Sequence, residues 1–158
     1  MQPIIITRVF NAPREKVWQA WSDQTIAQKW YSPVGFTSPF FTIDFRVGGK
    51  ALSCMRGAPG PNLPVTDFWS TGTYKEIIPL EKIVCTDDFA DEKGNVVPAS
   101  HYGMENMVGQ AMVTVTFKDL NGQTEMTLHH SGVPESVQTD CTAGWNGMFD
   151  KLDALLGK

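Results

Sequence analysis

Apolar residues change their period along this chain of 158 residues, and the changes mark out its elements. "IIITRVF" (4–10) is β-branched and predicts an opening strand. In "NAPREKVWQAW" (11–21) the period becomes helical, with Val17, Trp18 and Trp21 on one face, Asn11 placed to cap and Pro13 suited to the first turn. A second short helix is predicted over "DQTIAQKWYSP" (23–33), with Asp23 as its cap and Pro33 and Gly35 ending it.

The middle of the chain reads as strands. "FFTIDFR" (40–46) and "KALSCMR" (50–56) flank the "VGG" turn at 47–49, whose glycines allow positive φ. After the loop "GAPGPNLP" (57–64), further strands are predicted at 68–78, 81–89, 110–117 and 124–130. Asn121-Gly122 between the last two is a hairpin signal. The segment 91–109 is too long for a plain turn and is a candidate lid.

The last segment returns to helical spacing. Val137, Cys141, Trp145, Met148, Leu152 and Leu155 form one face, widened by Phe149 and Leu156, and the predicted helix starts near 134–137 and ends near 156. Two glycines, Gly144 and Gly147, interrupt it, each costing about 1 kcal/mol relative to alanine in a helix interior. They suit either close approach of another backbone or space left open. With no repeat and no linker, the pattern predicts a single α+β domain over 1–158, an antiparallel sheet packed against the terminal helix.

Composition narrows the function. Lys and Arg total 13 against 17 Asp and Glu, a net charge of −4, with no basic run. That argues against a nucleic-acid surface and against membrane attachment through anionic lipids. No apolar stretch reaches the length of a membrane span, and no basic-apolar leader precedes the first strand, so a cytoplasmic location without membrane insertion is expected. Cys54, Cys85 and Cys141 are odd in number and dispersed, which predicts reduced thiols, those at 54 and 85 buried and inert. No Cys/His cluster has metal-ligand spacing, and neither a P-loop, a dinucleotide fingerprint nor a nucleophile elbow is present, so no metal and no cofactor is expected.

"RVFNAPREKVWQAWSD", "KWYSP", "DFRVGG", "GTYKEIIPLEKIV", "VTVTF", "TEMTLHHSG" and "GWNGMFDKL", in this order and spacing, resemble the START-like (SRPBCC) superfamily, in its branch related to the activator of heat-shock-protein-90 ATPase. The resemblance spans nearly the whole chain. It implies a helix-grip fold: a curved antiparallel sheet of about six or seven strands around a long C-terminal helix, with two short helices after the first strand. It also implies an apolar cavity between sheet and helix. Members include lipid and hormone carriers, aromatase/cyclase enzymes and co-chaperone domains. The co-chaperone carries a separate N-terminal client-binding domain with no counterpart in this sequence, which argues against a chaperone partner for this chain alone.

Within that frame the large side chains expected around the cavity are candidate ligand-binding residues: Trp30, Met55 and Trp69, then Trp145, Met148 and Phe149, for which ordinary core packing is the competing reading. His101, Met104 and Met107 belong to the candidate lid. His129 and His130 are adjacent on a strand and point to opposite faces; His130 shares its face with Met126 and Leu128, as a pocket-wall group or a core histidine. Asp87 and Asp88 alternate in the same way, and one inward carboxylate near His130 would make an acid/base pair. The sequence thus favours binding of a small apolar or aromatic molecule. A cyclase, hydrolase or isomerase using the same pocket and a co-chaperone-like interaction module are the alternatives, and a homodimer stays open.

Overall fold

A computed structural model describes residues 2–104 and 110–157. Seven strands form one curved sheet in the order β1-β7-β6-β5-β4-β3-β2, every neighbouring pair antiparallel. They are β1 (Ile4–Phe10), β2 (Thr37–Ile43), β3 (Lys50–Gly57), β4 (Thr66–Ile78), β5 (Lys82–Ala90), β6 (Ala111–Asp119) and β7 (Thr124–Ser131). Helices α1 (Arg14–Ser22) and α2 (Gln24–Trp30) follow β1, and α3 (Glu135–Leu156) closes the chain. The α+β helix-grip architecture expected from the sequence is the one found.

Period-two burial explains the sheet. Thr124, Met126, Leu128 and His130 of β7 face inward with Val113, Val115 and Phe117 of β6, while His129 is exposed. Asn121 and Gly122 take the positive φ that a two-residue hairpin needs (56° and 98°), so β6 turns directly into β7.

Three local expectations shift. Asn11 does not cap α1; Pro13 takes that position, and its fixed φ of −67° leads into the helix without a side-chain bond. Asp23 does cap α2, its carboxylate accepting from the Thr25 and Ile26 backbone N–H groups, but α2 ends at Trp30, before Pro33. The strand expected at 40–46 is β2 at Thr37–Ile43, at the sheet edge with an irregular register between Thr37 and Phe40. Pro39 lies in that irregularity, where a missing N–H is tolerated. Beyond it, Gly48 N–H donates to the Tyr74 carbonyl and Tyr74 N–H donates to the Gly49 carbonyl, so the turn is fastened to β4.

Helix α3 buries Trp145, Gly147, Met148, Phe149 and Leu152, whereas Val137 near its start is exposed. Arg8 of β1 ties it down through Asp150 at 2.7 Å and Asn146 at 3.3 Å. The two glycines have different surroundings. A Cβ on Gly147 would sit 2.9 Å from Val34 Cγ2, so the helix approaches the 31–36 loop closely there. One turn further on, Lys151 Nζ donates to the carbonyls of Ser32 (2.7 Å), Pro33 (2.9 Å) and Phe36 (3.2 Å) and to Ser32 Oγ (3.0 Å). One stretch of α3 therefore grips the loop that follows α2. Lys151→Met keeps the stem but strands these acceptors; a loss of about 1–3 kcal/mol is expected in urea unfolding. No loss would mean that water replaces the ammonium fully.

A Cβ on Gly144 meets nothing within 4 Å. Gly144→Ala should therefore stabilise the protein by about 0.5–1 kcal/mol, since only the unfolded chain and the helix propensity change. A destabilised Gly144→Ala would show that this position is constrained.

Candidate functional site

The concave face of the sheet holds a cavity of about 60 Å³. Its roof is Trp21 of α1, Trp30 of α2 and Tyr31, the residue just after α2. Its floor is Ser70, Thr71, Gly72 and Tyr74 of β4 with Ile83, Cys85, Thr86 and Asp87 of β5. Val113 and Val115 of β6 close one side, Phe41, Ala51 and Ser53 the other. No residue of α3 lines it. The void lies between the sheet and the α1–α2 pair, not against the C-terminal helix as the sequence suggested.

Ile83, Cys85 and Asp87 stand at steps of two on β5, so its floor presents a hydrophobe, a thiol and a carboxylate, and the buried Thr86 between the last two lines the void as well. Asp87 Oδ2 lies 2.9 Å from His130 Nε2, two strands away, with side chains 32% and 6% exposed respectively. The inward carboxylate beside His130 that the sequence raised is thus present. This ion pair is the one polar contact of Nε2 among the described residues.

The other ring nitrogen is engaged from α3. Trp145 Nε1–H donates to His130 Nδ1 at 3.0 Å, and Cys141 Sγ lies 3.7 Å from the same atom. Burial disfavours a charged His130, but pairing with Asp87 and Cys141 outweighs it and pushes the imidazole up to about 9. Trp145 works against that charge. An indole N–H is a donor only, so Nδ1 must keep its lone pair while the bond exists, and the single proton stands on Nε2, facing Asp87. Tyr31 is raised well above the usual phenol range by burial and then by the charge of Asp87. Burial also raises Tyr74, and burial followed by the charge of Asp87 pushes Cys85 up to about 12. Tyr31, Tyr74 and Cys85 are neutral at pH 7.

Among the residues singled out from sequence, the structure brings Trp30 to the cavity wall, fully buried with its N–H donated to the Ala20 carbonyl. His130 stands behind Asp87 and does not line the void. Trp145, Met148 and Phe149 are packed in the core, where the Trp145 and Phe149 rings stack at 5.6 Å. Met55 is half-buried on β3, and Trp69 packs on Phe40 at the far end of β4. His101 and Met104 are exposed. The candidate lid is fastened at Tyr102, whose hydroxyl donates to the Ala90 carbonyl and accepts from Trp69 N–H, joining β4 to β5. Met107 lies outside the described residues.

Trp21, Tyr31, Phe41, Tyr74 and Cys85 were not in the sequence-derived site. The β5 residues were within reach, because Cys85 and Asp87 follow Ile83 at steps of two. Trp21 and Tyr31 were not, since nothing local tells which turns of two short helices overhang the sheet.

Comparison with known proteins accords with the fold. The model of the Activator of Hsp90 ATPase homolog 1-like family matches residues 11–157, and the chain belongs to that family. It is similar in structure to protein CV1439 from Chromobacterium violaceum, at 25% identity and a TM-score of 0.76 over 99% of this chain and 98% of that one. A protein from Arthrobacter aurescens gives 26% identity and a TM-score of 0.78 over 98% of this chain and 86% of its own. CalU16 from Micromonospora echinospora shares the fold at 18% identity and a TM-score of 0.66, covering 98% of this chain and 75% of that one. No curated protein matches the sequence significantly. Among the described residues no helix is long and apolar enough to cross a membrane, and no three His, Cys, Asp or Glu side chains gather as a metal site.

Proposed function

We propose that this protein binds a small molecule in the cavity beneath α1 and α2, its apolar part among the rings and its polar end at Asp87. The supporting observation is the wall itself: Trp21, Trp30, Tyr31, Phe41, Ile83 and Val115 around a single carboxylate. Concave, mostly apolar sites with a few placed polar groups are the usual form of small-molecule pockets. The volume suits a small ligand, not a lipid chain. The original candidates Met55, Trp69, His101, Met104 and Met107 would meet only a ligand that extends out of the cavity. His130, Trp145, Met148 and Phe149 would act from behind the wall.

Isobutanol, a neutral branched probe of five heavy atoms, tests this by saturation-transfer NMR. Saturable binding is expected in the wild type and lost in Ala51→Phe, whose added ring fills the void. Binding that survives Ala51→Phe would place the site elsewhere, and no saturable binding would remove the proposal.

The Asp87–His130 contact favours one second reading, an enzyme. A carboxylate beside an imidazole can accept and return a proton. Turnover of a bound ligand, abolished by Asp87→Asn, would distinguish this from binding alone.

A further inference from the structure

We infer that Cys141, His130 and Asp87 form a nucleophilic relay, in which the Cys141 thiol adds to an α,β-unsaturated carbonyl compound and its proton travels through His130. The relay bridges three elements. Cys141 Sγ of α3 lies 3.7 Å from His130 Nδ1 of β7, and His130 Nε2 lies 2.9 Å from Asp87 Oδ2 of β5. A nucleophile, a base and a carboxylate that orients the base are the parts such chemistry needs, and their contacts are often loose before substrate arrives. Cys141 does not line the cavity, so occupancy of the void does not bear on it.

The protons stand where the relay needs them. Trp145 Nε1–H donates to Nδ1 at 3.0 Å, which holds the imidazole in the tautomer with its proton on Nε2, facing Asp87. Nδ1 therefore keeps a lone pair, the state a base requires. Cys141 and Trp145 are four residues apart on α3, so thiol and indole reach that one atom from the same helix face. When Nδ1 takes the thiol proton, the Asp87 carboxylate balances the charge of the imidazolium. Asp87 thus acts through His130, as a positioning residue.

The other two thiols are placed differently. Cys54 is fully buried, and burial pushes it up to about 11. Cys85 is pushed up to about 12 by burial and by the charge of Asp87, which there opposes the thiolate directly. Cys141 is only half-buried.

The relay also selects the electrophile. It supplies a nucleophile and a carrier for one proton, and addition to an alkene conjugated to a carbonyl uses both. The S–C bond forms at the β-carbon, the alkene π pair moves to the α-carbon, and that carbon takes the proton from Nδ1. Nothing leaves, and thiol plus alkene becomes a thioether. Acyl transfer would need oxyanion donors besides.

Acrylamide, a small uncharged member of this class, tests the relay on the intact chain at pH 7, with peptide mass spectrometry following each cysteine separately. Cys141 should add acrylamide at least about tenfold faster than N-acetylcysteine in the same tube, although the free thiol is fully accessible. Cys54 and Cys85 should stay unmodified. His130→Gln and Asp87→Asn should each slow Cys141 by about tenfold or more, with Cys54 and Cys85 still unmodified. Those two thiols report on folding in the same sample. A variant that merely loosens the structure exposes its thiols and speeds their alkylation, so only loss of the base slows Cys141. If His130→Gln does not fold, the wild-type rate ratio and Asp87→Asn decide. Reaction of Cys141 no faster than N-acetylcysteine overturns the inference, and so does an unchanged rate in a folded variant.

Discussion

Trp145→Ala is expected to cost about 3–5 kcal/mol of stability, the range for removing a large aromatic from a core, while leaving ligand affinity within a few-fold of wild type. Trp145 is 5% exposed, stacks on Phe149, and lies edge-on to Tyr31 at 5.8 Å, yet does not line the void. Urea unfolding measures the loss. Trp145→Phe isolates the hydrogen bond to His130. With His130 neutral, the variant loses a buried bond of about 1 kcal/mol; with His130 charged, Nδ1 already carries a proton and there is no such bond to lose. A group whose folded pKa is raised contributes stability that is fully present below its unfolded value, near 6.5, and is lost as pH rises through the folded value of about 9. Removing the opposing indole N–H strengthens that contribution. The deficit of Trp145→Phe should therefore be largest above about pH 9 and shrink as pH falls toward 6. A deficit independent of pH would mean that Trp145 does not set the His130 tautomer.

Gly72→Ala carries the second large effect. A Cβ at Gly72 would stand 2.2 Å from the Thr86 carbonyl oxygen, which is backbone and cannot turn aside. Between Thr71↔Asp88 and Tyr74↔Cys85, β4 presses on β5, and Thr73 N–H is satisfied by the Thr86 hydroxyl. Relief requires the strands to part at the cavity floor. A loss of about 3 kcal/mol is expected, at the upper end of overpacking costs, with weakened ligand binding in the folded fraction because Gly72 and Asp87 share that floor. Neutral behaviour in chemical unfolding would show that the strand pair is softer than its geometry.

The fold was legible because its signals are periodic and local. Alternation in β6 and β7, Asn121-Gly122 between them, the Asp23 cap and the apolar face of α3 each report on a few neighbouring residues. The site was only partly so. The face shared by Met126, Leu128 and His130 pointed inward as read, and the carboxylate beside His130 was anticipated as Asp87 or Asp88. The cavity itself was expected against α3 because the family resemblance implies one there, and Gly144 and Gly147 were read as either close approach or open space. Gly147 instead marks the close approach to Val34, and Gly144 borders no wall. A glycine's reason lies in what approaches it from elsewhere in the chain, and spacing along one helix does not carry that information. The same holds for Trp21 and Tyr31, which become wall residues only when α1 and α2 fold over the sheet.

Where a ligand sits is the central claim, and the five tryptophans report on it directly. In protein labelled with 5-fluorotryptophan, Trp18, Trp21, Trp30, Trp69 and Trp145 each give a fluorine resonance, assigned by substitution. On titration with isobutanol, the Trp21 and Trp30 resonances should shift most, Trp145 less because it lies behind Tyr31, and Trp69 least. Large shifts at Trp145 or Trp69 with Trp21 and Trp30 unmoved would contradict a site beneath α1 and α2 and return it to the C-terminal helix or the lid.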